Sequence, residues 1–140
     1  MPAKIFVDTN IWLYSLIQTS EEDTRHQIAA AFLDSVERPV ISTQVIREAT
    51  YNLIKKARMP EDSIRALITS WYQDCVVHES SEAQFLHASR LRDLYSLSYW
   101  DSLIIAAALD ANCATLYSED MQHGQIIDGK MTILNPFFQQ

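Results

Sequence analysis

Residues 4–14, Lys-Ile-Phe-Val-Asp-Thr-Asn-Ile-Trp-Leu-Tyr, decide how the rest of the chain is read. Residues 4–7 form a short apolar run suited to a buried strand. Ile11, Leu13, Tyr14 and Ile17 then recur at near-helical spacing. Between the two lie Asp8, Thr9 and Asn10, so the chain opens as strand, polar turn and helix, with an aspartate at the strand's carboxyl end.

Similar units follow. Residues 29–36 continue as helix, and residues 39–42 are a brief β-favouring stretch ahead of a helical segment from Thr43 to Ala57. Pro60 suits the first turn of a helix running to about Trp71, and residues 75–77 are the next strand candidate. Ser81 with Gln84 resembles a capping box that starts a helix through Tyr95, and Ser98 with Asp101 repeats the pattern ahead of residues 103–109. Residues 113–117 read as a strand before a turn over 118–124, and residues 131–134 as a last, marginal strand. Short apolar strands alternating with longer helices predict an α/β fold, its four to five strands paired in parallel and covered on both faces. There is no repeat or low-complexity linker, and 140 residues suit one domain spanning 1–140.

Composition narrows the class. Hydrophobic residues at 48% and charged residues at 21% are a globular balance. Cys75 and Cys113 lie in apolar surroundings and read as buried, reduced thiols rather than a disulfide. The first residues carry no secretory or arginine-rich leader pattern, and no apolar stretch approaches the ~20 residues of a membrane span. The expectation is a cytoplasmic protein with no membrane association. A net charge of −7 argues against a broad basic surface for nucleic acid. Arg47, Lys55, Lys56, Arg58 and Arg65 nevertheless crowd one stretch, either as a solvated helical face or as a phosphate-contact surface.

In open parallel sheets, functional groups gather at the carboxyl ends of the strands. Asp8 and Asp120 follow two of the predicted strands and should emerge at the same edge. Asp101 begins the helix that feeds the 113–117 strand, and Glu48 lies in the helix after residues 39–42. Four carboxylates at one edge are hard oxygen ligands of the kind Mg²⁺ or Mn²⁺ prefers, and a pair of such ions ~4 Å apart can drive phosphodiester cleavage. Each acid also has a local explanation. Asp8 fits a helix N-cap, Asp101 a capping box and a favourable position on the helix dipole, and Asp120 an ordinary polar turn beside Glu119. Glu48 falls off the apolar stripe of its helix, Ile46, Ala49, Leu53 and Ala57, as any exposed glutamate would.

Taken together, Val7-Asp8-Thr9-Asn10, Glu48 within the run from Ser42, Tyr99-Trp100-Asp101-Ser102 and Ser118-Glu119-Asp120 resemble the PIN-domain family in order, spacing and context across nearly the whole chain. The run Ser-Glu-Asp-Met-Gln-His-Gly from Ser118 is most similar to the VapC-type toxin nucleases of bacterial toxin-antitoxin pairs. The resemblance implies a three-layer α/β/α fold and an Mg²⁺- or Mn²⁺-dependent endoribonuclease acting on RNA. It also implies a homodimer and a cognate antitoxin protein that occludes the active site. It assigns Asp8, Glu48, Asp101 and Asp120 as the catalytic and metal-binding acids, with Thr9, Asn10 and Ser118 as supporting polar residues. The Ser-x-Asp pattern favours Asp120 over Glu119.

The alternative from another class is a non-catalytic signalling or binding module, for example a receiver-like acidic domain. The chain has a lone Asp8 where such domains pair two acids, no acid in an equivalent central position, and only Lys130 as a late lysine. His26, His78, His87 and His123 show no zinc-like pairing with each other or with the cysteines. Trp12, Trp71 and Trp100 are candidates for stacking on bases, although tryptophan more often supplies core or interface area.

Overall fold

The computed structural model describes residues 3–20 and 23–138. Their elements are, in order, β1 (Lys4–Val7), α1 (Thr9–Leu16), α2 (Thr24–Ser35), β2 (Val40–Ser42), α3 (Thr43–Ala57), α4 (Glu61–Asp74), β3 (Val76–His78), α5 (Glu82–Leu94), α6 (Tyr99–Asp110), β4 (Cys113–Tyr117), β5 (Ile126–Ile127) and β6 (Met131–Leu134). The strands form one sheet in the order β3-β2-β1-β4-β6-β5. The first five in that order pair in parallel, and β5 adds to the edge antiparallel to β6.

The sheet therefore carries one strand more than the four to five expected. β5 is short enough to escape a periodicity argument, but its turn is written in the sequence. Asp128 (φ 53°) and Gly129 (φ 63°) both occupy the left-handed region, and the Lys130 N–H donates to the Ile127 carbonyl at 2.9 Å. An Asp-Gly pair with two positive φ angles is the turn that matches strand twist in a tight hairpin. His87 clips this turn to the body, bonding Asp110 at the end of α6 (3.1 Å) and Asp128 (3.3 Å).

Alternation along β1 sends neighbouring side chains to opposite faces. Phe6 joins the larger core with β2, β4, α3, α5 and α6, while Val7 packs with Ile11 of α1 and Ala29 of α2. Helices thus flank the sheet on both sides. α6 is apolar around most of its circumference because it is central: Ser102 through Ala108 are all buried. Trp12 and Trp71 meet edge to face at 5.9 Å between α1 and α4, and the Trp12 indole donates to the Val7 carbonyl at 3.3 Å.

Several boundaries differ from the sequence reading. α2 starts at Thr24 under an Asp23 cap. Pro60 is the N-cap of α4 rather than within its first turn, and α4 extends to Asp74. Ser81 caps α5 through the Gln84 N–H, but the Gln84 side chain turns inward and donates to the Leu103 carbonyl at 3.2 Å, so the reciprocal half of the box is not made. A buried carbonyl near the start of α6 competes successfully for that amide. Among the described residues, no helix is long and apolar enough to cross a membrane.

Cys75 and Cys113 are free and buried, as expected. Burial pushes their thiols up to about 11 and about 12 respectively, so the nucleophilic thiolate is scarce near neutral pH. The folded protein is expected to react very slowly with a thiol-specific disulfide reagent at pH 8, and both cysteines to react promptly in guanidinium. Rapid reaction of both in the native state would contradict this packing.

Candidate functional site

The strand order reverses direction at β1, with β2 and β3 on one side and β4 and β6 on the other. A crevice opens at the carboxyl ends of the strands on either side of such a switch point. The parallel ladder extends past both strand ends: the Asp8 N–H donates to the Tyr117 carbonyl at 3.0 Å, and the Ser118 N–H to the Leu134 carbonyl at 2.9 Å. This register brings together two residues 110 positions apart. The Ser118 hydroxyl donates to Asp8 Oδ2 at 2.8 Å, and the Thr9 N–H donates to Asp8 Oδ1 at 2.7 Å. Asp8, only 6% exposed, is thus both the N-cap of α1 and the floor of the crevice.

The other three acids reach the same crevice from different elements. A cleft of about 210 Å³ is lined by Asp8, Glu48, Asp101 and Asp120, with Thr9 and Asn10 among its other walls. Asp101 stands in the first turn of α6, its N–H capped by Ser98 Oγ at 3.1 Å. Glu48 projects from α3 and accepts from Gln44 Nε2 at 2.8 Å. Asp120 is held by Asn10 Nδ2 at 3.1 Å. Among the described residues, no three acidic, histidine or cysteine side chains converge tightly enough to form a ready-made cation cage. The carboxylates ring an open cleft instead.

Their electrostatics follow from that arrangement. Burial pushes the Asp8 carboxyl up to about 7; the hydrogen bonds from Thr9 and Ser118 oppose the rise, and the charges of Glu48 and Asp101 add to it. Glu48 is raised by burial against the Gln44 bond, with repulsion from Asp101 and Asp120 contributing. Asp101 is likewise raised by burial, partly offset by Ser98, with Asp120 repelling it. Among the described residues, no ion pair neutralises any of the four.

Glu119 is engaged elsewhere. Its carboxylate forms an ion pair with Arg25 of α2 and accepts from the Tyr14 hydroxyl at 2.6 Å, while its N–H donates to Asn10 Oδ1 at 3.3 Å. It faces a second, adjoining cleft of about 480 Å³. Asn10 therefore sits between the two adjacent acids, one hand on each.

The sequence reading passed over Gln44 and Asn52, which also line the carboxylate cleft, as do Lys56 and Trp100, which it had weighed as a phosphate contact and a stacking ring without placing them at the acids. Gln44, Glu48, Asn52 and Lys56 are spaced by four and share one face of α3. That spacing was the available signal. The apolar stripe of the helix is buried at Val45, Ala49 and Leu53, whereas Ala57 is exposed, so α3 carries two stripes, one toward the core and one toward the cleft. His123 is occupied structurally: Nδ1 accepts from the Asn135 N–H at 2.9 Å, and the ring stacks on Phe138 at 4.0 Å.

The family model of the PIN domain matches residues 5–126. Among solved structures, a toxin-antitoxin complex from Klebsiella pneumoniae superposes with a TM-score of 0.71 at 18% identity, over 96% of this chain and 98% of that one. VapC20 of Mycobacterium tuberculosis, described as a sarcin-ricin loop cleaving toxin, gives 0.63 at 19% identity, over 81% and 87%. VapBC2 of Rickettsia felis, bound to a DNA fragment from its promoter, gives 0.65 at 17%, over 94% and 97%. No curated protein sequence matches the chain. At these identities the structural likeness is one of fold, and it agrees with the flanked, mostly parallel sheet described above. Since the family match takes in β1, the crevice and all four cleft acids, the chain belongs to the PIN-domain family.

Proposed function

We propose that this protein is a divalent-metal-dependent endoribonuclease, the toxin of a toxin-antitoxin pair, acting in the cytoplasm as a homodimer held in check by a cognate antitoxin. The observation that carries the nuclease reading is the convergence of Asp8, Glu48, Asp101 and Asp120 on one cleft, none of them in an ion pair among the described residues. Family membership and the VapC neighbours support RNA as substrate and an antitoxin as partner. Membership in this family also weighs against the receiver-like alternative.

The residues fit a hard cation. Every acidic donor is a carboxylate oxygen, the acids repel one another, and the buried Thr9 hydroxyl on the cleft wall has no partner among the described residues. An open ring rather than a cage suits Mg²⁺ or Mn²⁺, since Mg²⁺ keeps several waters and shares its coordination with substrate phosphate. Asp8, Glu48, Asp101 and Asp120 would hold the metal, which supplies Lewis-acid stabilisation of the phosphodiester and lowers the pKa of water. The protein's own contribution is orientation. Ser118 and the Thr9 N–H fix both oxygens of Asp8, Asn10 aims Asp120, and Gln44 steadies Glu48.

Asp8→Asn and Asp101→Asn are each expected to lower RNA cleavage by at least about a hundredfold in Mg²⁺ or Mn²⁺, and chelator to abolish wild-type activity. Glu119→Gln is expected to keep most activity, whereas Asp120→Asn loses it. Undiminished cleavage by both Asp8→Asn and Asp101→Asn would remove the site.

Stability gives a second, activity-free check. Asp8 holds its proton up to about pH 7 when folded but only to about 3.8 when unfolded. The folded state therefore binds the extra proton between those values. Its contribution to stability is complete below about 4 and is lost as pH rises through about 7, a loss on the order of 4 kcal/mol at most. Without metal, Asp8→Asn is expected to melt higher than wild type at pH 8, with the difference vanishing toward pH 4. Mg²⁺ should raise the wild-type melting temperature and do so less for the variant. A wild type no less stable than Asp8→Asn at pH 8 in chelator would contradict the electrostatic account.

A further inference from the structure

The three tryptophans have different fates. Trp12 and Trp71 pack against each other, but Trp100 is 63% exposed at the rim of the carboxylate cleft, next in sequence to Asp101. Its ring is braced edge to face by Tyr99 at 5.1 Å, and the Arg92 guanidinium lies 5.0 Å from the centre of the Tyr99 ring. Leaving so large an apolar surface in water is unfavourable, and a rigid, braced indole at the mouth of a polar cleft offers a flat face to a planar ligand.

The cleft also has a direction. Gln44, at the start of α3, reaches the Trp100 carbonyl at 3.5 Å, and Lys56, on the same face of α3, lies about 18 Å farther along the helix axis. Glu48 and Asn52 fall between them. Of the basic residues crowded in this stretch, Lys56 is the one that lines the carboxylate cleft, and it also borders the adjoining cleft.

We propose that Trp100 and Lys56 seat the substrate strand along this face of α3, with one base stacked on the Trp100 ring and a backbone phosphate on Lys56, the carboxylates lying beneath the linkages between them. This rests on the nuclease reading and adds to it the two side chains that seat the substrate strand. A base can meet the Trp100 face only when it is free of its neighbours in a duplex, and stacking tolerates any base because each has a π-face. Lys56 supplies positive charge at the far end of a cleft otherwise dominated by acids, a point contact suited to a phosphate.

The test measures binding of a short fluorescein-labelled oligoadenylate, single-stranded or annealed to its complement, to the full chain with Mg²⁺. An Asp8→Asn background prevents cleavage. Adding Trp100→Ala is expected to weaken single-strand binding about tenfold or more, and Trp100→Phe to restore most of it. Adding Lys56→Gln should flatten the dependence of log affinity on log salt by about 0.7. Both positions are exposed, so the variants should fold, which thermal melting verifies. If wild type cleaves RNA but the Trp100 and Lys56 changes leave binding and salt slope intact, or if duplex binds as tightly as single strand, this proposal fails while the nuclease reading stands. If no RNA is cleaved by wild type with either metal and none is bound, both fail. A Trp100→Ala protein that binds RNA normally but sediments as a smaller species would make Trp100 a protein contact and overturn the proposal.

Discussion

An aspartate buried at the end of a central strand, with other acids for neighbours and no ion-pair partner among the described residues, is the constraint around which this molecule is organised. The hydrogen bonds to Asp8 from Thr9 and Ser118 are the kind that ordinarily hold a carboxyl low, yet burial outweighs them. Asp8 cannot relax by moving, because its own N–H is tied into the ladder with Tyr117 and the following residues are already α1. Strand register, helix cap and acid placement are therefore one feature. The packing of β1 and α6 offsets the electrostatic cost, which protonation of Asp8 relieves.

Much of this was legible in the sequence because the relevant signals are local. Residues 4–10 state a strand, a turn and a cap, and Ser98 with Asp101 states a helix start. Alternating strand and helix then fixes parallel pairing, and parallel pairing sends the residues after β1 and β4 to the same edge. The local explanations of Asp8 and Asp101 as capping residues turned out to hold together with their place in the cleft rather than to compete with it. A helix that begins at a strand's carboxyl end in this fold begins at the crevice, so its first-turn acids border the crevice as well.

What escaped the sequence is what depends on a second face or a distant partner. Glu48 looks dispensable when α3 is scored for a single apolar stripe, since a helix bordering both a core and a polar cleft has two buried-facing sides and periodicity detects only the apolar one. The choice between Glu119 and Asp120 turns on Arg25, Tyr14 and Asn10, all supplied from the first two helices about a hundred residues away. The Ser-x-Asp spacing pointed to Asp120. The physical reason is that Glu119 already has a cation and a hydroxyl of its own, which leaves Asp120 as the member of the pair facing the acid cleft.

The same reasoning reconciles an acidic chain with the anionic substrate proposed for it. A net charge of −7 counts the cleft acids at full value, although Asp8, Glu48 and Asp101 are all pushed toward their neutral forms. Two divalent ions, the number that phosphodiester cleavage commonly uses, would cancel more than half of that excess at the point where a phosphate must approach. Long-range attraction from a broad basic surface is then unnecessary, and affinity must come from short-range contacts near the cleft instead. Lys56, at one end of the α3 face that carries Glu48, and the exposed ring of Trp100, beside its other end, are the contacts proposed for that role.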